Sequence, residues 1–238
     1  MTDLLQEYWR AYLWTDGTRL TGLAVTMWML VLSTGIGFAL AVPLAIARVS
    51  PRRWLSLPVH LYTYVFRGTP LYVQLLLIYS GIYGLQIVRE TELLNLFFRV
   101  GFNCVILAFV LNTCAYTTEI LAGAIRSVSH GAVEAGRAYG MSDAVLYRRI
   151  ILPDAFRRSI PALSNEVIFM LHGTSVAFAA TVPDLLKIAR DANADTFRSF
   201  EAFGFAGLLY LLATFFLVWL FRKAEQRWLR HVQPHHAA

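Results

Sequence analysis

The sequence predicts an all-α, polytopic membrane protein with about five transmembrane helices. Two observations carry that expectation. The 238 residues are 57% hydrophobic and only 15% charged, with a mean hydropathy of +0.53, too few polar groups to coat an ordinary soluble domain. The apolar residues also gather in runs near 20–47, 58–84, 101–125, 159–182 and 203–221. Each is long enough, as helix, to cross a hydrocarbon core of about 30 Å.

Orientation follows from the basic residues. The segments Arg48 to Arg53, Arg126 to Arg158 and Arg222 to Arg230 hold thirteen of them against four acids, whereas the opposite side holds seven against nine acids. The basic side is expected to be cytosolic, which puts the N-terminus outside and the C-terminus inside. The net charge of +6 is then a topology signal, and no nucleic-acid partner is needed to explain it.

Taken in order, residues 1–19 form an outer segment in which Leu4, Leu5, Tyr8, Trp9, Tyr12 and Leu13 fall at helical spacing. This predicts an amphipathic helix lying on the outer membrane surface. Asp3 and Glu7, together with the length of the first apolar run, argue against a cleavable signal peptide and for a retained span. Gly68 and Pro70 threaten to break the second span. Cys104 and Cys114 lie ten residues apart in the third, roughly 15 Å of helix rise, too far for a disulfide. Pro161, Glu166 and His172 interrupt the fourth, which a helix packed inside a bundle tolerates better than a lipid-facing one. A cytosolic tail over 222–238 completes a single transmembrane domain spanning 1–238.

Arg67, Glu119 and Glu166 remain inside spans, where an unpaired charge costs roughly 2.5 kcal/mol or more. Their positions along the spans put them at similar depths, roughly 10 to 14 Å from the inner boundary, so a shared charge network is expected. Its simplest role is to fix helix packing. His172, Thr174 and Ser175 lie farther out. Small and hydroxylated residues near the midplane make them candidate substrate-pathway residues. Asp184, Asp191, Asp195 and Glu201 give the last outer loop an acidic tilt, which could meet a basic patch on a partner.

The cytosolic loop 126–158 carries Glu134, Ala135, Gly140, Ile150, Leu152 and Pro153. Gly140 can take the left-handed conformation that ends one short helix, Ser142 or Asp143 can cap a second, and Pro153 is expected to stop it. This order of residues resembles the ATPase-docking loop of permease subunits in bacterial ABC importers. The segments Arg67–Leu71, Val73–Leu75, Ala115–Tyr116, Glu119–Ile120, Ile160–Leu163 and Asn165–Ile168 are similar to signatures of the polar amino acid permease family. The stretches Asn112–Arg126 and Thr181–Asp191 are most similar to members that serve basic amino acids. One departure is Gly136, where the docking motif usually has a second Ala; glycine lowers helix propensity by about 1 kcal/mol relative to alanine.

The resemblance implies a type I ABC importer permease fold in the inner membrane. It further implies a second, homologous permease subunit in a heterodimer, two cytosolic ATP-binding subunits and a periplasmic amino-acid-binding protein. Histidine, lysine, arginine and ornithine are the implied substrates. No phosphate-cradling G-x-x-x-x-G-K-[ST] loop occurs in the chain, so ATP and Mg are expected on the partner ATPase and no cofactor or metal on this chain. An ion-coupled secondary transporter is the alternative, but no repeat relates the two halves and the docking loop would have no purpose in it. A membrane serine hydrolase is disfavoured because Gly173-Thr174-Ser175-Val176-Ala177 lacks the closing glycine of a nucleophile elbow.

Overall fold

A computed structural model describes residues 2–228; the end of the expected tail, 229–238, lies outside the described residues. The described residues are mostly helical, joined by short turns. In order come α1 (Thr2–Leu13), α2 (Gly22–Arg48), α3 (Arg53–Gly68), α4 (Leu71–Leu76), α5 (Gln86–Glu90), α6 (Glu92–Phe98), α7 (Gly101–Arg126), α8 (His130–Ala138), α9 (Asp143–Leu146), α10 (Leu152–Gly173), α11 (Leu185–Thr196) and α12 (Ser199–Trp228). By length and apolarity, α2, α7 and α12 each qualify as an uninterrupted membrane span. The second expected span is composite: α3 ends at Gly68, Thr69 and Pro70 are extended, and α4 continues into a π-helical stretch, Leu77–Ile82. The fourth is α10 followed by a 3₁₀ segment, Thr174–Ala180. Pro161 and Glu166 lie inside α10 without ending it.

The helices α2 and α7 make the most extensive helix pair. In lipid no hydrophobic force pulls two apolar helices together, so close association needs small residues that let backbones approach. On α2, Ser33, Gly37, Ala41 and Ala45 recur every four residues and are all buried. They face a partner rich in Ala and Thr, including Ala108, Thr113, Ala115 and Ala122. Gly37 sits at the tightest point, where a Cβ would come within 2.9 Å of the Thr113 side chain. Farther out, α7 starts against the 3₁₀ segment, and a Cβ on Gly101 would fall 2.1 Å from the Ala180 carbonyl oxygen. The principal core, around Met29, Leu75, Phe109 and Leu171, fills the space between α2, α4, α7 and α10.

The amphipathic α1 does not lie free on the membrane. Leu4 and Tyr12 are buried in a second core with Leu185, Ala189 and Ala202 of α11 and α12. The Tyr12 hydroxyl donates to the Ala202 carbonyl and that of Tyr8 to Asp195. The apolar face that predicted a lipid contact is thus used for protein packing, with Trp9 left partly exposed. The chain then turns into α2 at Gly22, whose φ of +58° and lack of a Cβ let it pass under the Tyr12 carbonyl.

The outer acids are also committed to structure. Asp184 is fully buried and caps α11, accepting from the backbone N–H groups of Leu186 and Lys187 at 3.1 Å. Asp191 pairs with Lys187, and Glu201 with Arg198 at 3.6 Å. The expected acidic docking patch is therefore largely internally neutralised.

Two tests follow from this packing. Gly37→Leu should lower the thermal midpoint of the detergent-purified protein, since overpacking costs roughly 1–3 kcal/mol, while Gly35→Leu, where nothing lies within 4 Å, should leave it unchanged. Equal effects would show that the seam is not close-packed. The second concerns Asp184, whose carboxyl burial pushes from 3.8 up to about 7, against the pull of its two N–H donors. A raised carboxyl pKa in the fold favours the protonated form. Its contribution is therefore full below about pH 4 and is lost as pH rises through 7. Asp184→Asn keeps a capping oxygen without the charge, so it should raise the midpoint relative to the parent at pH 8 and much less at pH 5; a pH-independent difference would contradict this.

Candidate functional site

The break between α3 and α4 makes the site. Gly68 ends α3 and Pro70 cannot supply an N–H, so the backbone around Thr69 needs other partners. Gln74, one turn into α4, provides them: its amide donates to the Phe66 carbonyl at 2.7 Å, to the Thr69 carbonyl at 3.0 Å and to the Thr69 hydroxyl at 2.8 Å. Asn112 of α7 donates to the Gln74 side-chain carbonyl at 3.0 Å, and the Tyr116 hydroxyl donates to the Arg67 carbonyl at 3.3 Å. A buried polar network whose members satisfy one another holds non-helical backbone at membrane depth.

Beside this break opens a cavity of about 520 Å³ lined by Arg67 to Leu71, Asn112, Tyr116, Glu166, Phe169 and Met170. The Arg67 guanidinium lies over the Tyr116 ring, 5.3 Å from its centroid, which fixes a cation on one wall. Glu166 of α10 is 7% exposed on another wall. Among the described residues its carboxylate has no hydrogen-bond or ion-pair partner, and Arg67 is the cation in electrostatic reach. A guanidinium and a carboxyl group lining one cavity suit a zwitterion, with Arg67 toward a carboxylate and Glu166 toward an ammonium or guanidinium.

The expected three-membered charge network is not what forms. Glu119 accepts from Arg48 Nε and from the Thr63 hydroxyl, both at 2.7 Å, and Arg48 also donates to His60 Nδ1 at 2.9 Å. Arg67 influences Glu119 only electrostatically. The α2–α7 seam brings the last turn of α2 beside Glu119 and so supplies a nearer cation. That residue is Arg48, which reads in sequence as a loop charge. His172, Thr174 and Ser175 also fall away from the cavity. His172 Nε2 meets the Thr214 hydroxyl at 3.2 Å, and the Thr174 and Ser175 hydroxyls donate to the carbonyls of Leu171 and His172 within their own turn. These three residues join α10 to its neighbours and bend it into the 3₁₀ segment. The signal that finds Gln74, Asn112 and Tyr116 instead is burial of amide and hydroxyl groups beside a helix break.

The second feature is the elbow at the basic end of the bundle. α8 ends in a Schellman motif: Gly140 has φ of +77°, its N–H donates to the Arg137 carbonyl, and the Met141 N–H donates to the Gly136 carbonyl. Ser142 stands at the cap position of α9 but makes no side-chain cap. Pro153 does not stop the second helix. α9 passes through a π-helical turn, Tyr147–Ile151, directly into α10, with Pro153 in its first turn, where a missing N–H costs little. The elbow is thus a rigid extension of the fourth span. Gly136 is buried, and a Cβ there would meet Leu146 at 2.6 Å and Ile150 at 3.0 Å, so the glycine lets α8 close on the following helix and does not merely soften it. Leu146, Ile151 and Ala155 form a small core with Val128, against which Ile125 and Ile150 pack. Leu152 is half-buried, while Glu134 and Ala135 stay exposed on the outer face of α8.

The family described as "Binding-protein-dependent transport system inner membrane component" matches residues 33–230. The chain is 62% identical over 234 residues, 98% of each protein, to the histidine/lysine/arginine/ornithine transport system permease protein HisM of Escherichia coli (strain K12). It is 40% identical over 216 residues, 90% of this chain and 88% of the relative, to the octopine transport system permease protein OccM of Rhizobium radiobacter. Among solved structures, a chain of an amino acid ABC transporter crystallised with histidines superposes with a TM-score of 0.75 at 32% identity, covering 87% of this chain and 92% of that one. The methionine transporter MetNI, at 15% identity and a TM-score of 0.73 over 97% of this chain and all of the other, shares the fold. With a matching profile over most of its length, a shared type I permease fold and close full-length relatives, the chain belongs to the family of binding-protein-dependent transport system inner membrane components, as a permease subunit of an ABC importer.

Proposed function

We propose that this chain forms part of the translocation pathway for basic amino acids, with histidine, lysine, arginine and ornithine as substrates. The observation that carries the reading is the cavity at the α3–α4 break that both Arg67 and Glu166 line. The name of the 62% identical relative, which specifies these four amino acids, supports the same substrate class. In this reading the Arg67 guanidinium receives the α-carboxylate. Glu166, which has no partner among the described residues, receives an ammonium or the cationic side chain and offsets the cost of bringing that charge into the bilayer.

The basic end of the bundle is cytosolic and the N-terminus periplasmic, by the distribution of Lys and Arg. The elbow from α8 to α9 docks in a cleft of one of two cytosolic ATPases, which bind the ATP and Mg. A second, similar permease subunit completes the pathway, and a periplasmic binding protein delivers the amino acid. Because α9 is continuous with α10, movement of the elbow would be passed along one stiff rod to Glu166, five residues beyond the mid-helix Pro161.

Reconstitution in nanodiscs or proteoliposomes with ATPase, partner permease and binding protein tests the proposal. ATP-dependent arginine uptake is expected, stimulated by loaded binding protein. Glu166→Gln should lower arginine and lysine uptake about tenfold or more, by removing one charge-assisted contact. Gly140→Val, strained at φ +77°, should weaken ATPase co-purification without changing the assembled bundle. Uptake that follows an ion gradient without ATP, or unchanged uptake in the Glu166→Gln transporter, would overturn the corresponding part of the reading.

A further inference from the structure

A second polar cavity lies at the basic end of the bundle, apart from the Arg67–Glu166 site. It measures about 370 Å³ and is lined by Arg48, Arg53, Ser56, Leu57 and His60. Arg48 is engaged with Glu119 and donates to His60 Nδ1. Since an arginine can only donate, Nδ1 accepts, and the ring's proton is on Nε2, which is a donor. Arg53 makes no ion pair among the described residues. It opens α3, a 16-residue helix whose cap position, Arg52, supplies no side-chain cap, so the first N–H groups add positive potential to the same cavity. The donors present are a guanidinium, a hydroxyl and an N–H end, and no carboxylate lines the cavity.

The surroundings say which anion. Leu57 closes one side of the cavity and is 64% exposed; from it, Leu61, Tyr64 and Val65 continue an exposed apolar stripe along α3 at spacings of four, seven and eight residues. Trp54, next to Arg53 in the chain, is 69% exposed, as aromatic side chains are at a membrane–water interface. A cationic pocket at the interface that leads into an apolar stripe has the order of groups of a phospholipid, phosphate first and acyl chain after. Basic pockets at the ends of membrane helices suit acidic lipid headgroups. A free phosphate would use the pocket and leave the stripe without a purpose.

We infer that this cavity binds the headgroup of an anionic phospholipid, with an acyl chain laid along Leu57, Leu61, Tyr64 and Val65. The site is independent of the transported substrate. Through the Arg48–Glu119 bridge it would tie lipid occupancy to the α2–α7 contact.

The test uses the assembled, detergent-purified transporter with added phosphatidylglycerol or phosphatidylcholine, read by native mass spectrometry. One phosphatidylglycerol per copy of this chain should be retained in excess of phosphatidylcholine. Arg53→Glu should lower that retention roughly tenfold or more, while Arg227→Gln, at the exposed end of α12, should not. A photo-crosslinking residue at Leu61 should capture lipid. Equal retention of both lipids, unchanged retention in the Arg53→Glu transporter, or capture of a polypeptide at Leu61 would overturn the assignment, the last showing that a partner subunit covers this face. Absence of ATP-dependent arginine uptake by the unsubstituted transporter, with lipid retention intact, would instead count against the substrate reading alone.

Discussion

The close approach of α2 and α7 is the constraint on which the rest of the molecule depends. Lipid offers no reward for burying one apolar helix against another, so the pair is held by backbone proximity and dispersion along a seam of small residues. Ser33, Gly37, Ala41 and Ala45 set the depth of contact, and Gly37 against Thr113 sets its register. That register carries Arg48 to Glu119 at one end and lets Gly101 pass Ala180 at the other. It also fixes the α7 face that presents Asn112, Tyr116 and Glu119 toward α3 and α4.

The cavity is a consequence of that frame. A helix break inside a bilayer is tolerated only where its freed backbone groups find partners, and here Gln74 and Asn112 supply them from adjacent helices. The break brings Arg67 to the cavity wall, where Tyr116 holds it, while Glu166 is carried in on a helix that begins in the elbow. The two features named in the functional reading are therefore mechanically linked. The elbow is continuous with the helix that carries Glu166, because the π-helical turn joins α9 to α10.

Much of this was legible in composition and periodicity. The apolar runs foretell the bundle, the Arg67–Pro70 sequence foretells the break, and the spacing from Glu134 to Gly140 foretells the left-handed end of α8. What was not legible depends on contacts between distant segments. Arg48 reads as a loop charge until the α2–α7 seam places it beside Glu119. The amphipathic face of α1 looks the same whether it meets lipid or the buried side chains of α11 and α12. Asp184 looks like a solvated acid, yet it is a buried helix cap. Pro153 is a stop signal inside a helix but an ordinary residue in a first turn, and local sequence does not tell which helix it begins. His172, Thr174 and Ser175 have the chemistry of a substrate site, but their polar atoms are used within α10 and against α12.

The central claim is that the cavity between Arg67 and Glu166 is on the route of the amino acid. Phe169 stands at its rim and is 71% exposed. A Phe169→Cys substitution, in a background with Cys104 and Cys114 replaced by alanine, can be labelled in the assembled transporter with a hydrophilic thiol reagent. The account predicts labelling in at least one nucleotide state and slower labelling when arginine is present. A thiol that is unreactive in every nucleotide state, or that labels at the same rate with and without arginine, would contradict it.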